Sequence, residues 1–397
     1  MTLEVRDGDA ILGVRPRAAY APATLEEAAE VMTMAAHERL RLGFIGGGTQ
    51  LGLGAAPTGL DAVVRTEKLA RILEHAPADQ VVIAEAGVTL AALQAALGVH
   101  GQRLAFDPPA PERTTIGGLV ATGGFGPLRA RYGAIRDLII GVTLVRADGE
   151  VARGGGKVVK NVAGFDLPKV ACGSLGTLGL VAAAAFRLHP LPEVTRTVRV
   201  PGLGAEQIVA LLAAVRAAQL EPTAAVAIGA GRFDLGIRFE GFERGVAQQV
   251  SRAVELAAAA GTPAEPLADE AAAAFWRRHD AVRTAGPVRV RVAALPSRLA
   301  AVAAPLAAVG ELAWYATLGV GFAAGAMGAA AAGAVSAARA ALVAEGGSLV
   351  IEDAPAELRA AVDAWGPPPP AFSLMQRLKR RFDPDGRLNP GRFVGGL

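Results

Sequence analysis

Apolar positions along this chain change period repeatedly, and each change predicts an element. Leu25, Ala28, Ala29, Met32 and Ala36 recur at helical spacing, and Thr24 with Glu27 three residues on forms a capping-box signature. A short strand and turn over 11–22 precede that helix, and a strand over 41–45 follows it. Two further strands, 60–66 and 81–86, are joined by a polar connection around 75–80. Thr89 caps a helix over 90–97, residues 138–146 form a strand, and Ala147-Asp148-Gly149-Glu150 is its hairpin turn. The apolar run 178–185 reads as a buried strand.

After Pro192 the character changes. Strands at 195–200 and 223–240 surround a helix over 205–218, and an alanine-rich helix follows over 246–260. Residues 275–280 form a polar helical piece, and 288–292 a strand that puts Arg289 and Arg291 on one side. This half predicts a second α+β domain with mixed strands and two long helices. Gly366 and four prolines form a stiff linker, and 372–382 is a basic amphipathic helix.

Three glycine clusters interrupt the first half. They are Gly46-Gly47-Gly48-Thr49-Gln50, the stretch 114–124 (TTIGGLVATGG), and 154–181 (GGGKVVKNVAGFDLPKVACGSLGTLGLV). The last holds two turn-rich pieces, 154–157 and 173–179, on either side of Asn161. Glycines this dense allow backbone to approach a ligand closely and to adopt positive φ. Read as three loops, they point to one extended phosphate-bearing ligand lined by amides. A dinucleotide fingerprint requires the loop to follow the first strand and open a helix; Gly46 follows the second strand. No phosphate-loop motif exists either, since valine follows Lys157.

Together these segments resemble the FAD-binding domain of the vanillyl-alcohol oxidase or p-cresol methylhydroxylase type. Within that superfamily, 158–181 is most similar to the FAD-binding subunits of bacterial glycolate oxidases. The likeness covers roughly residues 10–192 well, the last twenty-odd residues moderately and the middle loosely. It implies an α+β, two-subdomain FAD-binding fold of the p-cresol methylhydroxylase type with a second α+β cap domain. The expected divisions are 1–192 for FAD, 193–366 for the substrate or cap domain, and 367–397 as a segment returning to the flavin. The expected cofactor contacts are Gly46, Gly47, Gly48, Thr49 and Gln50, then Thr114, Thr115, Gly117, Gly118, Thr122 and Gly123. Gly173, Ser174, Gly176, Thr177, Gly179, Leu180 and Val181 are expected to bring main chain to the flavin or adenine. Asn161 and Asn389 are each able to donate to flavin carbonyls, and equally able to serve as turn residues.

Composition narrows the remaining classes. A charged content of 19% with 52% hydrophobic residues describes a folded protein. Net charge is +3, and the one dense basic run is 377–381, so nucleic acid is a poor partner. The only cysteine, Cys172, reads as a small packed residue and rules out an intrachain disulfide. The opening MTLEVRDGDA has no apolar run, so no signal peptide is expected. Residues 312–338 carry no charge, yet their five glycines between 319 and 333 favour strand, loop and small-residue helix over a membrane span. The expected location is cytoplasmic, or peripheral to the inner membrane through partners.

Five histidines occur, His37, His75, His100, His189 and His279, none inside the first two glycine clusters. FAD is therefore expected to be non-covalent. Clustered metal ligands are not visible: His279 has Asp280 beside it but no second histidine, and reads as part of a surface helix. No catalytic set can be assigned; Arg289, Arg291 and His279 are the candidates, the arginines as a carboxylate clamp. The resemblance implies oxidation of a small 2-hydroxy acid, glycolate or D-lactate, to the 2-oxo acid through FAD. The chain then acts beside a second FAD subunit and an iron–sulfur subunit, since one cysteine cannot hold such a cluster. The alternatives are a self-sufficient FAD-dependent dehydrogenase and a non-catalytic FAD-bearing structural or relay subunit.

Overall fold

The computed structural model describes residues 3–157, 165–325 and 331–397. At the N-terminal side, β1 (Ala18–Tyr20), α1 (Leu25–His37), β2 (Leu42–Ile45) and β3 (Ala62–Arg65) build a three-stranded parallel sheet in the order β1-β3-β2. Helix α1 starts as its cap predicts. Thr24 Oγ1 accepts from Glu27 N at 3.1 Å, and Ala23 N donates to the Glu27 carboxylate at 2.7 Å. Its Ala28, Met32 and Ala35 are buried against β1–β3 residues such as Leu42 and Val64. The strand expected over 11–22 shortens to β1, because 11–14 close a tight turn through an Ile11–Val14 bridge.

A five-stranded sheet follows, from β4 (Ile72–Ala76), β5 (Val81–Glu85), β7 (Ile139–Val145), β8 (Val151–Gly155) and β9 (Leu180–Arg187), in the order β4-β5-β9-β7-β8. Between β5 and β9 the chain forms α2 (Leu90–Gly98), β6 (Gln102–Arg103), α3 (Ile116–Thr122), α4 (Arg129–Tyr132), α5 (Ile135–Leu138) and α6 (Leu167–Ala171). β10 (His189–Pro190) pairs β6. β9 is the middle strand, which explains its unbroken run of buried small and apolar residues.

Three expectations fail here. The polar connection before β5 contains an edge strand, β4, whose exposed Ile72 and Leu73 hide the alternation that marks a strand. The second glycine cluster is largely helical: Thr115 Oγ1 caps α3 by accepting from Gly118 N, and Gly123 ends it in the left-handed region at φ 62°. Gly154 and Gly155 belong to β8 and not to a turn. A Cβ on Gly155 would lie 2.0 Å from Ile140 O, so the glycine serves close strand packing.

The second unit comprises Pro127–Tyr132 and Pro192–Gly366; the first comprises Met1–Gly126, Gly133–Leu191 and Pro367–Leu397. The second unit is built on β11 (Val194–Leu203), β12 (Ala224–Ala230), β13 (Arg232–Gly241), β14 (Glu265–Pro266), β15 (Val288–Ala293), β16 (Glu311–Tyr315), β17 (Val320–Gly325) and β18 (Ser348–Asp353). Their order is β14-β11-β13-β12-β16-β17-β15-β18, and every pairing is antiparallel, where mixed strands were expected. Its helices are α7 (Ala205–Ala217), α8 (Glu243–Ala259), α9 (Asp269–Thr284), α10 (Leu299–Leu306), α11 (Ala331–Ala344) and α12 (Ala356–Ala361).

Alternation along these strands separates two faces. Val198, Val200, Phe233, Leu235, Ile237, Val288, Val290, Val292 and Trp314 join α7, α8, α10 and α11 in one apolar core. α9 packs on the opposite face, where a Cβ on Gly236 would lie 2.3 Å from the Phe275 ring. The uncharged stretch 312–338 supplies most of β16, all of β17 and the start of α11; residues 326–330 lie outside the described part. Among the described residues no helix is long and apolar enough to cross a membrane.

The last element, α13 (Phe372–Phe382), belongs to the first unit. It was expected as a basic amphipathic helix, but its Lys379 is buried. Lys379 Nζ donates to Thr177 O (3.0 Å), Asp383 Oδ2 (2.6 Å) and Leu388 O (2.9 Å). Burial pushes the Lys379 ammonium below its usual range, while Asp383 opposes that shift.

Candidate functional site

The glycine clusters meet within the first unit. Gly46 follows β2 and faces Thr115: a Cβ there would lie 2.2 Å from Thr115 Oγ1. At Gly47 it would lie 1.5 Å from Arg113 O, so only glycine permits this approach of two backbones. Gly48 turns the chain at φ 72°. Thr114 Oγ1 donates to Pro109 O at 3.1 Å and lies 3.5 Å from Thr49 Oγ1.

α3 is close-packed on one side and open on the other. Gly117 N donates to Ala86 O (2.8 Å), and a Cβ on Gly117 would meet the Ala86 Cβ at 2.7 Å. A Cβ on Gly118 would find only Thr115 Oγ1, at 3.1 Å. Thr122 Oγ1 donates back to Gly118 O, which leaves its lone pairs as the side chain's remaining valence.

The third cluster docks on the end of α3. Gly173 N donates to Val120 O (2.8 Å) and Leu175 N to Ala121 O (2.7 Å). Ser174 O accepts from Thr177 Oγ1, and Gly173 and Gly176 take φ of 75° and 70°. Gly179, at φ 157°, would place a Cβ 2.9 Å from Val145 O. Leu180 and Val181 open β9 and are buried in its ladder with β7. Asn161 lies outside the described residues.

The C-terminal segment closes this arrangement. Leu388 bridges Leu42 of β2, and Asn389 N donates to Leu42 O at 2.8 Å. Arg387 donates to Ala35 O, Leu40 O and Ala147 O, and Arg392 to Leu51 O and Leu53 O. Asn389 takes φ 44°, and its Nδ2 donates to Leu175 O at 2.8 Å. That partner orients the amide. One of the two Nδ2 protons is thus engaged, and Oδ1 is a buried acceptor without a partner.

A flavin dinucleotide fits these residues. Gln50 Oε1 and Asn389 Oδ1 are buried acceptors without a hydrogen-bond partner, a state that costs about 1–3 kcal/mol each until a donor arrives. Flavin imide, ribityl and ribose groups are such donors. Glycines adjoin both side chains: a Cβ on Gly124 would lie 3.6 Å from Gln50 Nε2, and one on Gly176 2.8 Å from Asn389 Nδ2. Burial pushes the Cys172 thiol up to about 12, away from the thiolate form.

The catalytic candidates lie in the second unit. Arg289 and Arg291 do share a strand face, between buried valines. Arg289 donates to Asp353 Oδ2 (2.7 Å) and Thr284 O, and Arg291 lies 3.6 Å from Glu352. Both are held by carboxylates of β18. His279 departs from the surface reading: it is 1% exposed, with Nδ1 2.9 Å from Asp280 and Nε2 2.7 Å from Tyr315 Oη. The charged WRRHD string is not evenly solvated: helical spacing turns Phe275, His279, Val282 and Arg283 inward. Tyr315 and Arg283 were not singled out, because their partner strands lie far off in sequence. Among the described residues no group of three or more His, Cys, Asp or Glu is placed to hold a metal ion.

Residues 16–155 match the FAD binding domain family. The chain is 38% identical over 183 residues to a D-lactate dehydrogenase of Archaeoglobus fulgidus, covering 45% of this chain and 41% of that one. It is 34% identical over 181 residues to glycolate oxidase subunit GlcE of Escherichia coli, covering 45% and 50%. The matched part thus spans about half or less of these curated relatives. Among solved structures, p-cresol methylhydroxylase with substrate bound aligns at a TM-score of 0.73 and 17% identity, over 96% of this chain and 89% of that one. An alkyldihydroxyacetonephosphate synthase aligns at 0.74 and 16%, over 95% and 76%.

Proposed function

The chain carries an FAD-binding domain on a fold of the p-cresol methylhydroxylase type, and from that premise we propose that it oxidises small 2-hydroxy acids. Glycolate and D-lactate are the substrate class, and the 2-oxo acid is the product. The observation that carries this reading is the glycine-lined cradle closed by Asn389, with its two unsatisfied buried acceptors. Gly46, Gly47, Gly48, Thr49 and Gln50 hold one side of the cofactor. Thr114, Thr115, Gly117, Gly118, Thr122 and Gly123 hold another, and 173–181 with Asn389 the third. When bound, FAD supplies a two-electron acceptor for the carbinol hydride.

Support for the substrate class comes from the relatives, one named a D-lactate dehydrogenase and another a glycolate oxidase subunit. Such a subunit name also favours assembly into a multi-subunit complex. A second flavoprotein and an iron–sulfur subunit as electron exit complete the proposal, because the single cysteine cannot bind a cluster. FAD is held without a covalent bond, and acid or heat denaturation is expected to release it from the polypeptide.

Anaerobic mixing of the FAD-loaded chain with glycolate or D-lactate, followed through the flavin absorbance, tests the activity. Bleaching within seconds is expected. Flavin that stays oxidised in the lone chain, and bleaches only with co-purified subunits, would make this chain a relay subunit and defeat its assignment as the oxidising one.

A further inference from the structure

We propose that Arg113 is the cation that binds the diphosphate of FAD, closing over the glycine loop 46–48. This deepens the reading of the glycine-lined cradle as the FAD site, and rests on it. A diphosphate is a doubly charged anion, and backbone amides solvate such a charge without neutralising it. The cradle segments 46–50, 114–123 and 173–181, with Asn389, include no lysine or arginine. Arg113 stands immediately before the second segment, and its side chain reaches the first.

The backbone that carries Arg113 is pinned. Pro108, Pro109 and Pro111 bar helix here, and Ala110 takes φ 53°, a left-handed value that alanine rarely adopts. That turn lets Arg113 N (3.1 Å) and Thr114 N (2.9 Å) both donate to Ala110 O. Ala91 N donates to Pro111 O and Leu90 N to Thr114 O, which ties the turn to α2 on both sides of Arg113. Arg113 O then abuts Gly47, the contact that excludes a side chain there. The guanidinium therefore starts from a fixed point.

Its far end lies over the loop. Arg113 Nη2 is 3.4 Å from Gly47 O, and a Cβ on Gly48 would find the same nitrogen at 3.9 Å. The bond to Gly47 O is long and uses one donor, so the rest of the fork stays open. A planar fork spans two phosphate oxygens at once, which an ammonium does not.

The charge of Arg113 is also uncommitted. Arg41, Arg65, Arg71 and Arg146 of the same unit each hold a carboxylate. Lys379, on Thr177 O beneath the third cluster, is neutralised by Asp383. Arg387 spends its guanidinium on the carbonyls of Ala35, Leu40 and Ala147. Arg113 is exposed, and no carboxylate among the described residues pairs with it. Its role differs from that of Gln50 and Asn389, whose buried acceptors suit neutral donors of the cofactor and are indifferent to salt. An exposed guanidinium on a diphosphate is screened by salt.

Calorimetric titration of FAD into the apo chain and into Arg113→Gln, at about 20 mM and about 300 mM salt, tests the assignment. At low salt the variant is expected to bind roughly 20-fold more weakly, the scale of one charge-assisted contact. At high salt that gap is expected to shrink at least about threefold, because the screened guanidinium contributes less. Phosphorus NMR of the FAD-loaded chain locates the effect. Arg113→Lys keeps the charge and loses the fork, so the diphosphate resonances are expected to shift while the visible flavin band stays in place. Equal affinities at low salt, a deficit that salt does not alter, or diphosphate resonances identical in wild type and Arg113→Lys would each overturn the role of Arg113 and leave the cradle intact. A wild-type chain that binds no FAD defeats the cradle itself.

Discussion

The two units concentrate polarity by opposite means. In the first, side chains are removed: at Gly46, Gly47 and Gly117 a single carbon would collide with Thr115, Arg113 or Ala86. What remains is backbone, which carries fixed dipoles and does not titrate. In the second unit, polar and charged side chains are brought inside and matched, as His279 and Arg283 are on the Tyr315 oxygen. Backbone suits a large invariant cofactor. The difference predicts that lesions in the first unit appear as lost cofactor, and lesions at the buried cluster of the second as lost stability.

The sharpest break is expected at Gly47→Val. Its Cβ would fall within bonding distance of Arg113 O, so the backbone has to separate. FAD content is expected to drop below a tenth of wild type, read from the visible spectrum of the purified chain. Next comes Lys379→Met, which leaves Asp383 buried without its cation. Chemical denaturation is expected to show a loss of about 3–5 kcal/mol, because removing one partner of a buried pair strands the other charge. FAD affinity falls with it, since Lys379 also holds Thr177 O and Leu388 O.

Gly118→Ala separates stability from binding. A methyl group there lies 3.1 Å from Thr115 Oγ1, so that hydroxyl has to give by a few tenths of an ångström; alanine's better helix propensity offsets this, and the apo chain is expected to change by less than about 1 kcal/mol. A similarly small effect is expected at Asp61. Arg41 donates to its carboxylate from Nε and Nη2, which holds the pKa near about 2. A folded-state pKa below the unfolded one stabilises above the unfolded value, and that contribution fades as pH falls from about 5 toward 2. Asp61→Asn is expected to cost about 1 kcal/mol at pH 7, and the difference from wild type should shrink to a small fraction at pH 2 and vanish only below it.

The first unit was the more legible in sequence. Glycine density, the Thr24 and Thr89 caps and the segment 158–181 all state local requirements, and local requirements are written locally. What sequence hid there was non-local: β4 is an edge strand without alternation, and Gly154 and Gly155 serve strand packing. In the second unit the periodic elements were readable, including β15, α7 and α8. The buried contact of His279 with Tyr315 was not, because the two meet only when α9 lies across the far face of a sheet assembled out of sequence order. A charged string on a helix gives no sign of which residue turns inward. The inward positions 275, 279, 282 and 283 were the available signal.

The most direct test of the backbone cradle is calorimetric titration of FAD into the apo chain and into Gly118→Val. A Cβ at this position would meet only Thr115 Oγ1, at 3.1 Å, so the apo chain is expected to stay folded, which its thermal midpoint checks. Wild type is expected to bind one FAD per chain, and Gly118→Val at least about 100-fold more weakly. Equal affinities for the two chains would contradict a cofactor held against the bare backbone of α3.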